Sequence, residues 1–196
     1  MNLIDRVKNI LTTPKTEWEV INGESATLSS LLTSYVVPLA LIPTVAGLIS
    51  NFFWARWVLG TEYILINAVI TFVGAIIVFV AATYAVDLLA TNFKSEKNMG
   101  KSAQLVAYSC TAYWVASIVG IIPLLGWLVV LAGAVYSIYL LYLGIGPLKK
   151  TPEDQKVVYI IVVIVVMIVI QVIIGAISGA LFFTNTVGGG RWWLGR

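Results

Sequence analysis

The sequence predicts an all-α membrane protein: a bundle of five transmembrane helices preceded by short amphipathic interfacial helices. Three observations point there. Of the 196 residues, 60% are hydrophobic and 11% charged, with a mean hydropathy of +0.96, which is too apolar for a soluble core of this size to hide. Five long runs are almost free of charge, at residues 28–53, 64–90, 105–123, 126–143 and 157–183. Each is near or above the ~20 residues that cross a ~30 Å hydrocarbon layer as a helix, and the polar–apolar alternation of barrel strands is absent. Finally, if the runs alternate in direction, nine basic residues (Arg6, Lys8, Lys15, Lys94, Lys97, Lys101, Lys149, Lys150, Lys156) fall on one side and three (Arg56, Arg191, Arg196) on the other. That bias predicts a cytoplasmic amino terminus and an external carboxyl terminus.

Residues 1–27 form a cytoplasmic amphipathic segment. In "LIDRVKNIL", Leu3, Ile4, Val7, Ile10 and Leu11 share one helical face and Asp5, Arg6, Lys8 and Asn9 the other, the pattern of a helix lying in the headgroup plane. "TTPKTEWEVI" predicts a second short helix with Thr13 as N-cap and Pro14 in its first turn, offering Trp18 and Ile21 to the membrane. The segment serves either as an interfacial anchor or as a docking site for a cytoplasmic partner. The apolar region begins behind several charges, so no cleavable signal peptide is expected.

Residues 28–183 form the five-span domain. Pro38 and Pro43 should kink or loosen the first span. The third and fourth runs are joined only by "PLLGW", suited to a tight antiparallel hairpin; a long helix broken at Pro123, or a re-entrant pair, is the alternative. In the fifth run Gly175 and Gly179 lie four apart beside Ala176 and Ala180, a smooth face for a neighbouring helix within the bundle or in a second copy. Ala81 and Ala85, and Ala112 and Ala116, repeat the spacing. Residues 184–196 contain three consecutive glycines, so an external tail should leave the helix near Thr184 and return Trp192 and Trp193 to the outer headgroup layer.

Within this apolar chain Asp87 stands out. It falls about one turn from the cytoplasmic end of the second span, where burying a charge costs less than at the midplane. At the same depth lie Tyr84 on its own helix, Tyr108 and Ser109 at the start of the third run, and Tyr139 and Tyr142 at the end of the fourth. These six form a candidate polar layer in which Asp87 accepts hydrogen bonds from hydroxyls or pairs with Lys94, Lys97 or Lys101. Such a layer is a structural clasp or a site of proton or cation handling; a carboxylate reaching up to headgroup water is the plainer alternative.

Catalytic chemistry finds little support. The chain has no histidine, which removes His-based metal sites and Ser-His-Asp arrangements, and its single Cys110 allows no intrachain disulfide. No paired carboxylates or nucleophile with a base are evident. A nonenzymatic protein with no cofactor is expected.

The order of features resembles the Yip family, small membrane proteins that include Rab-interacting eukaryotic members and many bacterial ones. "RVKNILTTPKTEWEVI" before the first span, "SYVVPLALIP" within it, "AYSCTAYWVASIVGIIPLLGWL" across the hairpin and "YLLYLGIGPLKKTPEDQK" before the last span carry the likeness. The Asp-Leu-Tyr-Gly-Pro motif of eukaryotic members is replaced by "TSYVVP", keeping Tyr35 and Pro38, and Ala112 stands where members tend to have proline. Rab binding is therefore not implied, and a bacterial-type inner-membrane member is. The resemblance implies a nonenzymatic membrane-organising or partner-binding scaffold, with a small-solute or ion transporter using the polar layer as the alternative. Expected partners are the lipid bilayer and a membrane or cytoplasmic protein, with a homo-oligomer open and no nucleic acid.

Overall fold

The computed structural model describes residues 2–183, and all of its regular elements are helical. The external tail expected at residues 184–196, with Trp192 and Trp193, lies outside the described residues. Helix α1 (Leu3–Thr12) starts where the Asn2 side chain accepts the Asp5 N–H at 2.8 Å. Helix α2 (Pro14–Gly23) places Pro14 in its first turn, where a missing N–H costs nothing.

Five helices long and apolar enough to cross a membrane follow: Leu28–Ala55, Thr61–Phe93, Met99–Ile121, Leu125–Lys149 and Glu153–Phe183. We call them spans 1 to 5. Span 1 begins with a reciprocal cap, Ser30 N–H to Thr27 Oγ1 and Thr27 N–H to Ser30 Oγ, both 3.1 Å. A π-helical turn, Leu32–Val36, immediately precedes Pro38; this wider turn relieves the contact of the proline ring with the Ser34 carbonyl. At Pro43 the α-helix simply continues.

Spans 3 and 4 form the antiparallel hairpin rather than one broken helix. Residues 122–124 turn the chain, with Leu124 at φ 68°. The two helices then stay in close contact along their length because small residues face each other. A Cβ on Gly126 would lie 2.6 Å from the Val119 carbonyl oxygen, one on Gly133 would collide with Ala116 and lie 2.9 Å from the Ala112 oxygen, and one on Gly144 would lie 2.8 Å from Leu105. Span 3 occupies the middle: 56% of its most apolar stretch is buried, against 17–28% for the other four, and it touches spans 1, 2 and 4. Its helix is interrupted at Cys110, and the Tyr113 N–H near the break is taken by Ser137 Oγ of span 4 at 3.0 Å.

Two expectations meet a different outcome. Most of the apolar face of α1 and α2 packs on the end of the bundle, Ile4 excepted: Ile10, Trp18 and Ile21 are buried, and Trp18 rests on Gly144. Arg6 and Glu17 are buried with that face and pair with each other, which fixes α1 on α2. On span 5, a Cβ at Gly175 or Gly179 would meet nothing within 4 Å among the described residues, so this face is not the one packed inside the described bundle. Contact with span 2 is made instead through Ile174 against Gly74 and through Ser178, which accepts the Asn67 amide at 2.8 Å.

These contacts separate two kinds of glycine. Gly133→Val should wedge spans 3 and 4 apart and cost about 1–3 kcal/mol by overpacking, seen as a lowered melting temperature in detergent. Gly175→Val should leave that temperature unchanged; equal losses in both variants would contradict the packing described.

Candidate functional site

The buried charged residues among those described collect at the end of the bundle where α1, α2 and the 94–98 and 150–152 connections meet, in two clusters. The first is built on Asp87, 3% exposed. Span 2 is apolar all round, but its buried stripe runs Phe79, Ala82, Thr83, Val86, Asp87 and Ala90, the spacing of one helical face. Span 3 brings Ser102, whose hydroxyl lies 3.1 Å from Asp87 Oδ1, and span 4 brings Lys149, whose Nζ donates to Ser102 Oγ at 2.7 Å and lies 3.5 Å from Asp87 Oδ1. Lys149 is fully buried. Span 5 closes the group: Tyr159, stacked on Phe93, donates its hydroxyl to the Val86 carbonyl. Spans 2 to 5 are thus tied at one level by a neutralised ion pair and its hydrogen bonds. Beside it the Lys149 carbonyl accepts the Glu96 N–H at 2.8 Å, and Ser95 and Thr151 hydroxyls meet at 2.8 Å, fastening the two connections together.

The second cluster fixes α1 and α2. Arg6, 5% exposed, donates Nη1 to Glu17 at 2.5 Å and Nη2 to both oxygens of Glu24 at 2.5–2.6 Å. Burial works against the guanidinium charge, but the Glu24 hydrogen bond and the Glu24 and Glu17 charges outweigh it and raise the pKa, so the cation is permanent. Its Cζ lies 5.2 Å from the Tyr108 ring centre, and Tyr108 in turn meets Tyr35 edge-to-face at 4.7 Å. Tyr35 reaches Thr111 of span 3, hydroxyl to hydroxyl, at 2.7 Å. At the carboxyl end of α2, carbonyls left without helical partners are met by span 3: Lys101 Nζ donates to Asn22 at 2.6 Å and Glu24 at 2.9 Å, and the Gln104 amide to Glu24 at 3.2 Å. The Leu11 carbonyl near the end of α1 accepts from Tyr136 of span 4 at 2.9 Å.

Of the six residues expected to share a layer, the structure brings none of the other five into hydrogen-bond contact with Asp87. Tyr84, Tyr139 and Tyr142 are 41–48% exposed on the outer, lipid-facing surface. Tyr108 belongs to the Arg6 cluster, and Ser109 is buried with its hydroxyl unpaired among the described residues. The lysine that meets Asp87 comes from span 4, not from the 94–101 stretch. Lys149, Ser102, Gln104 and Arg6 were not among the sequence candidates. Ending span 4 at 143 and starting span 3 at 105 left Lys149 and Ser102 in loops, yet the helix runs through Pro147 to Lys149 and span 3 begins at Met99, capped by the Asn98 side chain at 3.1 Å. The capping asparagine was the available signal for the earlier start. Among the described residues no group of three or more His, Cys, Asp or Glu side chains could hold a metal ion.

Comparison with known proteins agrees with this architecture. The model of the Yip1 domain family matches residues 8–174. The inner membrane protein YohC of Escherichia coli strain K12 is 29% identical over 153 residues, covering 72% of this chain and 77% of that protein, and YohC of strain O6:H1 CFT073 gives the same figures. No solved structure matches.

The Asp87 cluster makes a quantitative expectation. Removing one partner leaves the other buried and uncompensated, so Asp87→Leu or Lys149→Met should each cost about 3–5 kcal/mol, measured by unfolding in detergent. Asp87→Asn, which keeps the hydrogen bond to Ser102, should cost less than Asp87→Leu, and the double variant Asp87→Leu with Lys149→Met should recover much of the loss. A double variant as unstable as the sum of the two would contradict the pairing.

Proposed function

This chain belongs to the Yip1 domain family, and from that premise we propose that it is a nonenzymatic scaffold of a bacterial inner membrane that holds a partner protein on its cytoplasmic face. The observation that carries this reading is the locked position of α1 and α2. Their buried side is consumed by contacts to spans 3 and 4, while Ile4, 76% exposed, and Val20, 51% exposed, point away from the bundle among exposed Asp5, Lys8, Lys15 and Glu19. A rigid, mixed-charge surface with isolated apolar anchors suits recognition of a protein better than burial in lipid. The inner-membrane assignment rests on the name of the Escherichia coli relatives, and the orientation on the nine-to-three distribution of basic residues.

Transport through the polar layer is the weaker reading. Asp87 is neutralised by Lys149 and hydrogen-bonded by Ser102, and three of the tyrosines that would line a path face outward.

Two measurements test the proposal. Reporter fusions near Lys97 and Pro152 should score as cytoplasmic and those near Arg56 as external; the reverse would overturn the orientation. Photo-crosslinking side chains at positions 4 and 20, used in native membranes, should capture a reproducible protein neighbour, and Arg6→Ala should reduce that capture several-fold by releasing the helices. Lipid adducts alone, together with solute flux in vesicles reconstituted with the purified chain, would favour transport and overturn the scaffold.

A further inference from the structure

Where α1, the 24–26 turn and the start of span 1 come together, the surface opens into a cleft of about 470 Å³. Its lining is chemically specific. Arg6 supplies a buried cation whose Nη groups are held by Glu17 and Glu24, and Glu24, whose side chain is 39% exposed, presents its paired carboxylate at the rim. Asn2 and Leu3 bring the first turn of α1, whose N–H groups favour an anion. Ser34 of span 1 adds a hydroxyl whose proton is given to the Ser30 carbonyl at 2.6 Å, so its oxygen lone pairs remain for a donor.

The second observation concerns Tyr108, which also lines the cleft. Only 6% of this residue is exposed, its ring is held between Arg6 and Tyr35, and its hydroxyl makes no hydrogen bond among the described residues. The ring is enclosed but the hydroxyl opens to the cleft, where it is free to hydrogen-bond a ligand. The cleft therefore offers a cation and a helix start, then a carboxylate, then an unpaired phenol. A solely anionic ligand would face Glu24, and a quaternary ammonium would have no N–H for Glu24 or Tyr108. The matching ligand carries a phosphate next to a primary ammonium.

We propose that this cleft binds the phosphoethanolamine headgroup of an aminophospholipid, with its phosphate beside Arg6 and the start of α1 and its ammonium at Glu24 and the Tyr108 hydroxyl. The same headgroup chemistry exists free in solution, but position favours the lipid. The cleft sits where the N-terminal helices meet the first turns of span 1, the end of a helix long enough to cross a bilayer, and Leu41 and Val45, 45–48% exposed further down that span, offer an apolar track for acyl chains. The site does not depend on the scaffold reading.

The test uses the full chain, purified in mild detergent and offered equal amounts of phosphatidylethanolamine, phosphatidylcholine and phosphatidylglycerol, with retained lipid counted by native mass spectrometry. Phosphatidylethanolamine should be retained over both others. Tyr108→Phe removes only the hydroxyl and should lower that retention about tenfold, the loss of one hydrogen bond to a charged group, with the melting temperature in the same detergent unchanged. Glu24→Gln, as a second variant, should equalise the phosphatidylethanolamine and phosphatidylcholine signals. Equal retention of all three lipids by the unaltered chain, a preference for phosphatidylglycerol, or unchanged selectivity in both variants would overturn the proposal. Displacement of the lipid by an equal concentration of glycerophosphoethanolamine would assign the cleft to a soluble ligand and overturn the lipid assignment.

Discussion

A charge placed inside an apolar bundle has to meet an opposite charge there, because the alternatives are several kcal/mol of desolvation or withdrawal to water. Among the described residues the four buried charged side chains obey this rule by pairing across elements. Arg6 of α1 meets Glu17 of α2, and Asp87 of span 2 meets Lys149 of span 4. Each pair joins parts of the chain that hydrophobic contact alone would leave free to slide, since one Leu- or Val-covered helix fits another in many registers. The charges therefore fix position more than they add stability. They lie at the same end of the molecule, which becomes its specified end, while the opposite end of span 1 and the connection after it carry the exposed aromatics Phe53, Trp54 and Trp57.

Span 3 makes this arrangement possible. It is the least apolar of the five, and its hydroxyls and amides serve the surrounding elements: Ser102 the ion pair of spans 2 and 4, Gln104 the end of α2, and Thr111 the Tyr35 hydroxyl of span 1. A helix with this many polar groups would be poorly placed against lipid; covered on most sides by other helices, it supplies the hydrogen bonds that select one packing. The small residues Gly126, Gly133 and Gly144 of span 4 bring that helix close enough for the long side chains of α2 to reach across it, as the seat of Trp18 on Gly144 illustrates.

Much of this was legible in the sequence, though unevenly. The number of spans, the hairpin after span 3 and the two N-terminal helices follow from run length, Pro and Gly placement and periodicity, which depend on the local chain. The surroundings of Asp87 do not. Depth along a helix can be counted from its ends, but rotation cannot be read from a span that is apolar all round. Tyr84, three residues from Asp87, therefore looked like a layer partner and instead faces outward, while Thr83 shares the buried stripe. Lys149 was hidden because the fourth apolar run ends at residue 143, short of the helix's real end, and Arg6 by its place on what looks like the polar face of an isolated amphipathic helix. For Arg6 the missing information is which neighbour covers which face, a tertiary property. The small-residue signal behaved likewise: Ala112 and Ala116 do meet a glycine of the next helix, whereas Gly175 and Gly179 carry the same pattern with no neighbour among the described residues.

The central claim is that α1 and α2 are docked on protein by buried charge rather than laid in the headgroup plane, and Trp18 reports on it directly. In a variant whose only indole is Trp18, reconstituted in vesicles, a side chain 1% exposed and seated against Gly144 should resist quenching both by aqueous acrylamide and by lipids brominated near the headgroup. Arg6→Ala in the same background should restore quenching. Strong quenching by the brominated lipids with Arg6 intact would show the helices lying in the membrane surface and would contradict the docked arrangement.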